Sequence, residues 1–216
     1  MSIIDKFISN AQPYWRAYVE HDFVQQLGQG TLSKASFQHY LKQDYLFLFQ
    51  YSRANSLGIF KAENFEQIFQ AQQMNADLLQ EIQLHIDFCK SWGISEQELF
   101  STPESSACIA YTRYVLDCGI KGGLAELYVA LAPCAIGYAE IGKRLSEQGS
   151  GANNPYQDWI NTYADPEFQK SAQNLADNIE KLCADLTASQ LEKLQHIFNT
   201  ATRMEMAFWQ MGLDLS

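Results

Sequence analysis

Glycine and proline are scarce: 12 and 5 residues in a chain of 216, roughly 8% against an average near 12%. So few chain-breaking residues leave room for a handful of long elements. They argue against a sandwich or barrel, which needs a turn about every 8–12 residues. Basic charge is in deficit too. With 15 Lys and Arg against 25 Asp and Glu, the net charge is −10 and the pI about 4.8, which disfavours a partner held through its phosphate backbone. The longest uncharged apolar stretch, Leu127 to Ala139, falls short of the roughly 20 residues that cross a bilayer. The opening Met1-Ser2-Ile3-Ile4-Asp5-Lys6 places an acid where a signal peptide is apolar. Five cysteines are an odd number in a chain too large to need staples, so reduced thiols and a cytoplasmic setting are expected. Also missing are Glu-x-x-His repeats, Cys-x-x-Cys, His-Glu-x-x-His, a glycine-rich phosphate loop and a Gly-x-Ser-x-Gly elbow.

What is present is apolar and aromatic. Hydrophobic residues make up 47% and charged residues 19%, enough for a large core, and there are 13 Phe, 11 Tyr and 4 Trp. Nearly every segment reads with helical period and none alternates convincingly as a strand. A first helix starts at Ser2 with a bend at Pro13, and Gly28-Gln29-Gly30 marks a turn. Ser33 caps a long helix to about Phe60, and a second long helix covers about Asn64 to Trp92. A short helix follows Ser95, and others cover Ser105–Cys118 and Gly123–Gln148. After a loop from Gly149 to Pro155 come a short helix to Tyr163, a helix over Pro166–Leu186, and a last one over Ala188–Gly212 behind a Thr187/Gln190 capping box. No repeat or linker divides the chain, so a single all-α domain, a helical bundle over residues 1–216, is expected.

Two carboxylates occupy positions that belong to apolar residues. The stripe of the first long helix is Phe37, Tyr40, Leu41, Leu48 and Tyr51, and Asp44 lies in its middle. The stripe of the last helix is Leu191, Leu194, Phe198, Ala201 and Phe208, and Glu205 lies in its middle. An ionised carboxylate in an apolar interior costs several kcal/mol, so such groups are paired, protonated or functional. A single case is more often a capped or interface residue. Two independent cases in one small chain point toward a shared polar site.

Cys134 is the third candidate. It follows Pro133 within the most apolar helix, where the missing proline N–H frees the carbonyl of Val129 and a kink opens space beside the thiol, with Tyr138 one turn further along. Buried cysteine is usually a small inert hydrophobe, and Cys89, Cys108, Cys118 and Cys183 fit that description. Cys134 needs a base to become a nucleophile, and Glu205 can be that base. Most aromatics are core. Tyr111, on one face with Cys108 and Val115, needs a hydroxyl partner if buried, and Tyr163, before Asp165-Pro166, is placed to close over a pocket. Glu81 and His85 are one turn apart on an interior edge, a spacing metals use, but a core or subunit-interface histidine is the commoner reading. Glu192 and His196 share that spacing on a solvated face.

The ordered set of Asp44, Ala132-Pro133-Cys134 with Tyr138, Trp159-Ile160-Asn161-Thr162-Tyr163, and Glu205-x-x-Phe208-Trp209 resembles the TenA (thiaminase II) family, over essentially the whole chain. The resemblance implies a heme-oxygenase-like helical fold, a homotetramer, and hydrolysis of aminopyrimidines in thiamin salvage without a cofactor or metal. The substrate would be 4-amino-5-aminomethyl-2-methylpyrimidine, or thiamin itself. It makes Cys134 the nucleophile, Glu205 the proton carrier and Asp44 the grip on the amidine-like edge of the pyrimidine. Tyr111, Tyr138 and Tyr163 line the site, with Phe47 and Phe208 against the ring; Phe47 stands where several members have tyrosine. Two other classes compete: a metal- or haem-dependent oxygen-handling enzyme drawing on Glu81, His85, Asp44 and Glu205, and a non-catalytic helical regulatory module.

Overall fold

A computed structural model of the chain describes residues 1–149 and 153–216. Among these residues the chain forms eleven α-helices and no strand: α1 (Ile3–Asn10), α2 (Tyr14–Val19), α3 (Asp22–Gln29), α4 (Lys34–Lys61), α5 (Phe65–Ser91), α6 (Glu96–Ser101), α7 (Ser106–Lys121), α8 (Leu124–Gln148), α9 (Gln157–Ala164), α10 (Pro166–Cys183) and α11 (Ala188–Asp214). The expected loop from Gly149 to Pro155 lies partly outside the described residues.

Most helices begin where a side chain satisfies their first N–H groups. Ser2 and Asp5 form a reciprocal capping box for α1. Ser33, Asn64, Ser95 and Ser105 cap α4, α5, α6 and α7. Asp165 ends α9 and caps α10, with Pro166 supplying the preset first-turn geometry. Thr187 and Gln190 box the start of α11.

The first 32 residues depart from the sequence reading. They form three short helices in place of one bent one, and Gly28 and Gln29 are helical, so the turn belongs to Gly30 alone. The extra start is a cap of unusual type: the His21 ring nitrogen accepts from the Phe23 N–H. Downstream, the Asn154 amide donates to the carbonyls of Leu27 and Gly28, and the Tyr156 hydroxyl donates to that of Leu32. These contacts hold the end of α3 from 120 or more residues away in sequence, which local pattern cannot report.

The helices group into two compact units. The first comprises Met1–Leu32 and Tyr128–Gln210, and the second Ser33–Leu127 and Met211–Ser216. In the first, α10 packs on α1 and α9; in the second, α4 packs on α5, α6 and α7. Within the second unit Leu48, Leu78 and Ile82 form an apolar cluster backed by Tyr51 and Ile86. The Gln43 side chain, fully buried, donates to the Pro103 carbonyl and accepts from the Ser105 N–H, fixing where α7 begins. Helix α8 carries an 18-residue window of mean hydropathy 1.4, enough to span a membrane by length and composition, and 67% of that window is buried in the fold, as in a core helix.

Candidate functional site

Three candidates, Asp44, Phe47 and Tyr111, belong to the second unit. Asp44 and Phe47 share the inward stripe of α4, and both are buried. Tyr111, on α7, meets Phe47 with ring centroids 5.1 Å apart, and Phe47 also meets Tyr51 at 6.1 Å. These contacts are between ring faces and edges, so the missing hydroxyl of Phe47 does not disturb them.

Asp44 has close neighbours, of which Glu81 and His85 were grouped with it only in the metal- or haem-dependent alternative, and Tyr40 not at all. The Tyr40 hydroxyl, one turn earlier on α4, donates to Oδ2 at 3.4 Å. His85, on α5, directs Nδ1 toward the same oxygen at 3.6 Å, while its Nε2 is 2.9 Å from the Leu41 carbonyl. Burial pushes the Asp44 carboxyl up to about 7, against the opposing effect of the Tyr40 hydrogen bond. Glu81 is pushed up to about 7 as well, by burial and then by the nearness of Asp44. Burial lowers His85, partly offset by its bond to Leu41. The signal for this cluster was the i, i+4 spacing of Glu81 and His85 on the inner edge of α5; what the sequence could not give was the register of α5 against α4. Among the described residues, no three His, Cys, Asp or Glu side chains are grouped to hold a metal ion.

Cys134, Tyr138, Tyr163, Glu205 and Phe208 belong to the first unit. Glu205 and Phe208 are buried on α11, as their places in the apolar stripe require, and Cys134 is partly exposed on α8. Helix α8 is continuous through Pro133, and the carbonyl that gains a side-chain partner there is that of Pro133 itself, from the Tyr18 hydroxyl at 3.2 Å. Gly137 makes this possible: a Cβ at that position would lie 2.2 Å from the Tyr18 ring. Gly142 does the same one turn on, where a Cβ would lie 2.5 Å from the backbone of Tyr163 and drive α9 away from α8.

Around them the first unit is a continuous aromatic stack. Tyr138 lies 4.9 Å from Tyr163 and 5.1 Å from Trp209, Trp159 lies 4.5 Å from Tyr163, and Trp209 stacks on Phe23 at 4.9 Å. Trp159 and Trp209 stand inside the motifs that carry the resemblance, yet it assigns them no role; the structure makes them the packing partners of Tyr138 and Tyr163. The remaining cysteines divide clearly. Cys89, Cys108 and Cys183 are buried, and burial pushes the Cys89 and Cys108 thiols up to about 12, which keeps them un-ionised at neutral pH. A cleft of about 340 Å³ in the second unit is lined by Tyr45, Phe49, Arg53 and Phe100 among others, and by none of the eight candidates.

The chain matches the model of the TENA/THI-4/PQQC family over residues 8–215. It is 59% identical to an uncharacterized protein of Haemophilus influenzae, over 99% of this chain and 100% of that one. It is 36% identical to an aminopyrimidine aminohydrolase of Halalkalibacterium halodurans, over 99% of this chain and 96% of the relative. A putative hydroxymethylpyrimidine/phosphomethylpyrimidine kinase 2 of Schizosaccharomyces pombe is 38% identical over 96% of this chain, which spans 38% of that longer protein. Among solved structures, a TenA family transcription regulator from Silicibacter sp. TM1040 superimposes with a TM-score of 0.92 at 40% identity, covering 98% of this chain and 96% of the other. The architecture is the heme-oxygenase-like all-α fold.

Proposed function

The chain belongs to the TENA/THI-4/PQQC family, and from that premise we propose that it is an aminopyrimidine aminohydrolase of thiamin salvage, converting 4-amino-5-aminomethyl-2-methylpyrimidine and water to the hydroxymethyl pyrimidine and ammonia. The observation that carries this reading is the residue set itself, complete in a chain 36% identical along nearly its full length to an aminopyrimidine aminohydrolase. The fungal kinase relative supports it from the product side, because the enzyme it is named for acts on a hydroxymethylpyrimidine.

The residue types suit the chemistry. An aminopyrimidine is flat and electron-poor, and becomes more so when a ring nitrogen is protonated against Asp44. Glu205 takes the Cys134 proton as the sulfur adds to a ring carbon, which breaks aromaticity. The electrons gained by the ring expel the amine from the exocyclic methylene as Glu205 returns the proton to it. Water then adds at the methylene, giving its proton to Glu205. Loss of the sulfur restores the aromatic ring, Glu205 reprotonates the thiolate, and the ring proton goes back to Asp44. Tyr111, Tyr138, Tyr163, Phe47 and Phe208 supply flat apolar walls that favour a planar ring.

A cytoplasmic homotetramer is part of the same proposal. Support comes from α5, whose outer side presents Phe65, Ile68, Phe69 and Leu79, with Phe65 81% exposed, an apolar stripe of the kind that marks association. The decisive assay offers the purified protein the aminomethyl pyrimidine and thiamin separately and measures ammonia and thiazole. Release from neither overturns the proposal. Cys134→Ser is expected to cut turnover by about a thousandfold or more while product binding stays within several-fold.

A further inference from the structure

Asp44 and His85 face each other inside the second unit, and elementary hydrogen-bond chemistry fixes one hydrogen of the pair. The Leu41 carbonyl can only accept, so His85 Nε2, 2.9 Å away, carries the hydrogen. A neutral imidazole has one N–H, which leaves Nδ1 bare, with its lone pair in the ring plane. That nitrogen is 3.6 Å from Asp44 Oδ2, and the two side chains are only 9% and 7% exposed. An ionised carboxylate there would meet a second lone pair in a dry setting, whereas a carboxylic acid would direct its O–H at a base.

The rest of the surroundings within the unit points the same way. The titratable groups near Asp44 are Tyr40 on its own helix, Glu81, His85 and Cys89 on α5, and Cys108 on α7. None brings a positive charge unless His85 is protonated, and burial opposes that. The only hydroxyl donor to Oδ2 among them is Tyr40, at 3.4 Å.

We propose that His85 is a positioning residue of the hydrolase: by presenting a bare Nδ1 to Asp44 it keeps that carboxyl protonated in the free enzyme, so that an aminopyrimidine meets a proton donor and not an anion. This rests on the reading that Asp44 grips the pyrimidine. On binding, the Asp44 O–H bond breaks and an N–H bond forms at a ring nitrogen. The product is a pyrimidinium facing a carboxylate that accepts from the new N–H and from the exocyclic amine, with no proton drawn from solvent. The direction of the Asp44 shift, up to about 7, agrees with this state.

The test is calorimetric titration with the hydroxymethyl pyrimidine product, in two buffers of different ionisation enthalpy, which counts protons taken up on binding. His85→Gln exchanges the lone pair for an amide that can donate to the carboxylate and favour its ionised form. It is expected to weaken binding about tenfold at mildly alkaline pH, to recover toward wild type about two pH units lower, and to raise proton uptake toward one per site. Binding and uptake that track wild type across the whole range overturn the role of His85. Should His85→Gln fail to fold, ¹⁵N-histidine NMR of the unmutated protein decides: an Nε2–H tautomer with bare Nδ1 at neutral pH supports the proposal, and a protonated Nδ1 overturns it. Asp44→Ala separates the two levels. If it binds product as tightly as wild type, the reading of Asp44 falls and this inference with it; if it loses affinity while His85→Gln is silent, only the role of His85 falls.

Discussion

The two units bury different material. The first is filled by interlocking rings, with Tyr18, Phe23, Tyr138, Trp159, Tyr163 and Trp209 in successive contact. The second clusters titratable groups among its apolar residues, Asp44, His85 and, less deeply, Glu81, together with Cys89 and Cys108, where the first buries the carboxylate of Glu205 beside its rings. A ring stack keeps its geometry at any pH, since its energy comes from area and dispersion. A cluster of acids in apolar surroundings is comfortable in one protonation state only. The surfaces differ as well. Among the described residues, 11 of the 13 large hydrophobic side chains left exposed belong to the second unit. The ring stack of the first unit therefore has the character of a rigid mould, and the acid cluster of the second that of a proton-sensitive element with apolar surface to cover.

The hardest blow to that contrast would come from Trp209→Ala. Removing a fully buried ring that touches Phe23 and Tyr138 should cost about 3–5 kcal/mol in denaturant unfolding, by nearly the same amount at every pH. A cost that varies strongly with pH would mean that the ring stack itself depends on a titrating group, the buried Glu205 one turn earlier on α11 being the nearest in sequence.

Glu81→Gln examines the second unit. Glu81 is raised in the folded chain from 4.5 to about 7, so the folded state holds its proton more tightly than the unfolded one. The stability linked to that proton is fully present below the unfolded value and is lost as pH rises through about 7. The amide, which cannot ionise, should make the protein more stable than wild type at mildly alkaline pH by roughly 1–3 kcal/mol, with the gain shrinking toward zero in acid. A gain that is constant with pH, or a loss at alkaline pH, would contradict a proton-sensitive interior.

The smallest effect on stability is expected from Phe65→Ser with Phe69→Ser. Both side chains lie on the outer face of α5, so unfolding free energy per chain should shift by about 0.5 kcal/mol or less. Sedimentation should nonetheless show weaker self-association. An unchanged assembly would remove this stripe from the proposed contact.

Much of the fold was legible because helix signals are local. Ser2 with Asp5, Ser33, Asn64, Ser95, Ser105, Asp165-Pro166 and Thr187 with Gln190 each mark a start that the chain uses. Asp44 and Glu205 were legible as interior acids from their place in an apolar stripe, and both are buried. The three-way division of the first 32 residues was not, because it depends on a histidine cap and on side chains from the segment near Asn154. Nor was the approach of His85 Nδ1 to Asp44, although the metal- or haem-dependent alternative grouped the two residues. Its spacing to Glu81 showed a shared face, and nothing in one helix tells which turn of another it will meet.

Periodicity, capping residues and the shortage of glycine and proline determined by themselves that this chain is helical, where most helices begin, and which side of α4 and α11 turns inward. Those properties follow from bonds and side chains within a few residues of one another. Tertiary structure alone decided that a bare imidazole nitrogen faces Asp44, that Gly137 admits the Tyr18 ring, and that two tryptophans support Tyr138 and Tyr163. Each of these depends on how far one helix slides along its neighbour, a quantity set by the fit of whole faces and carried by no single stretch of sequence.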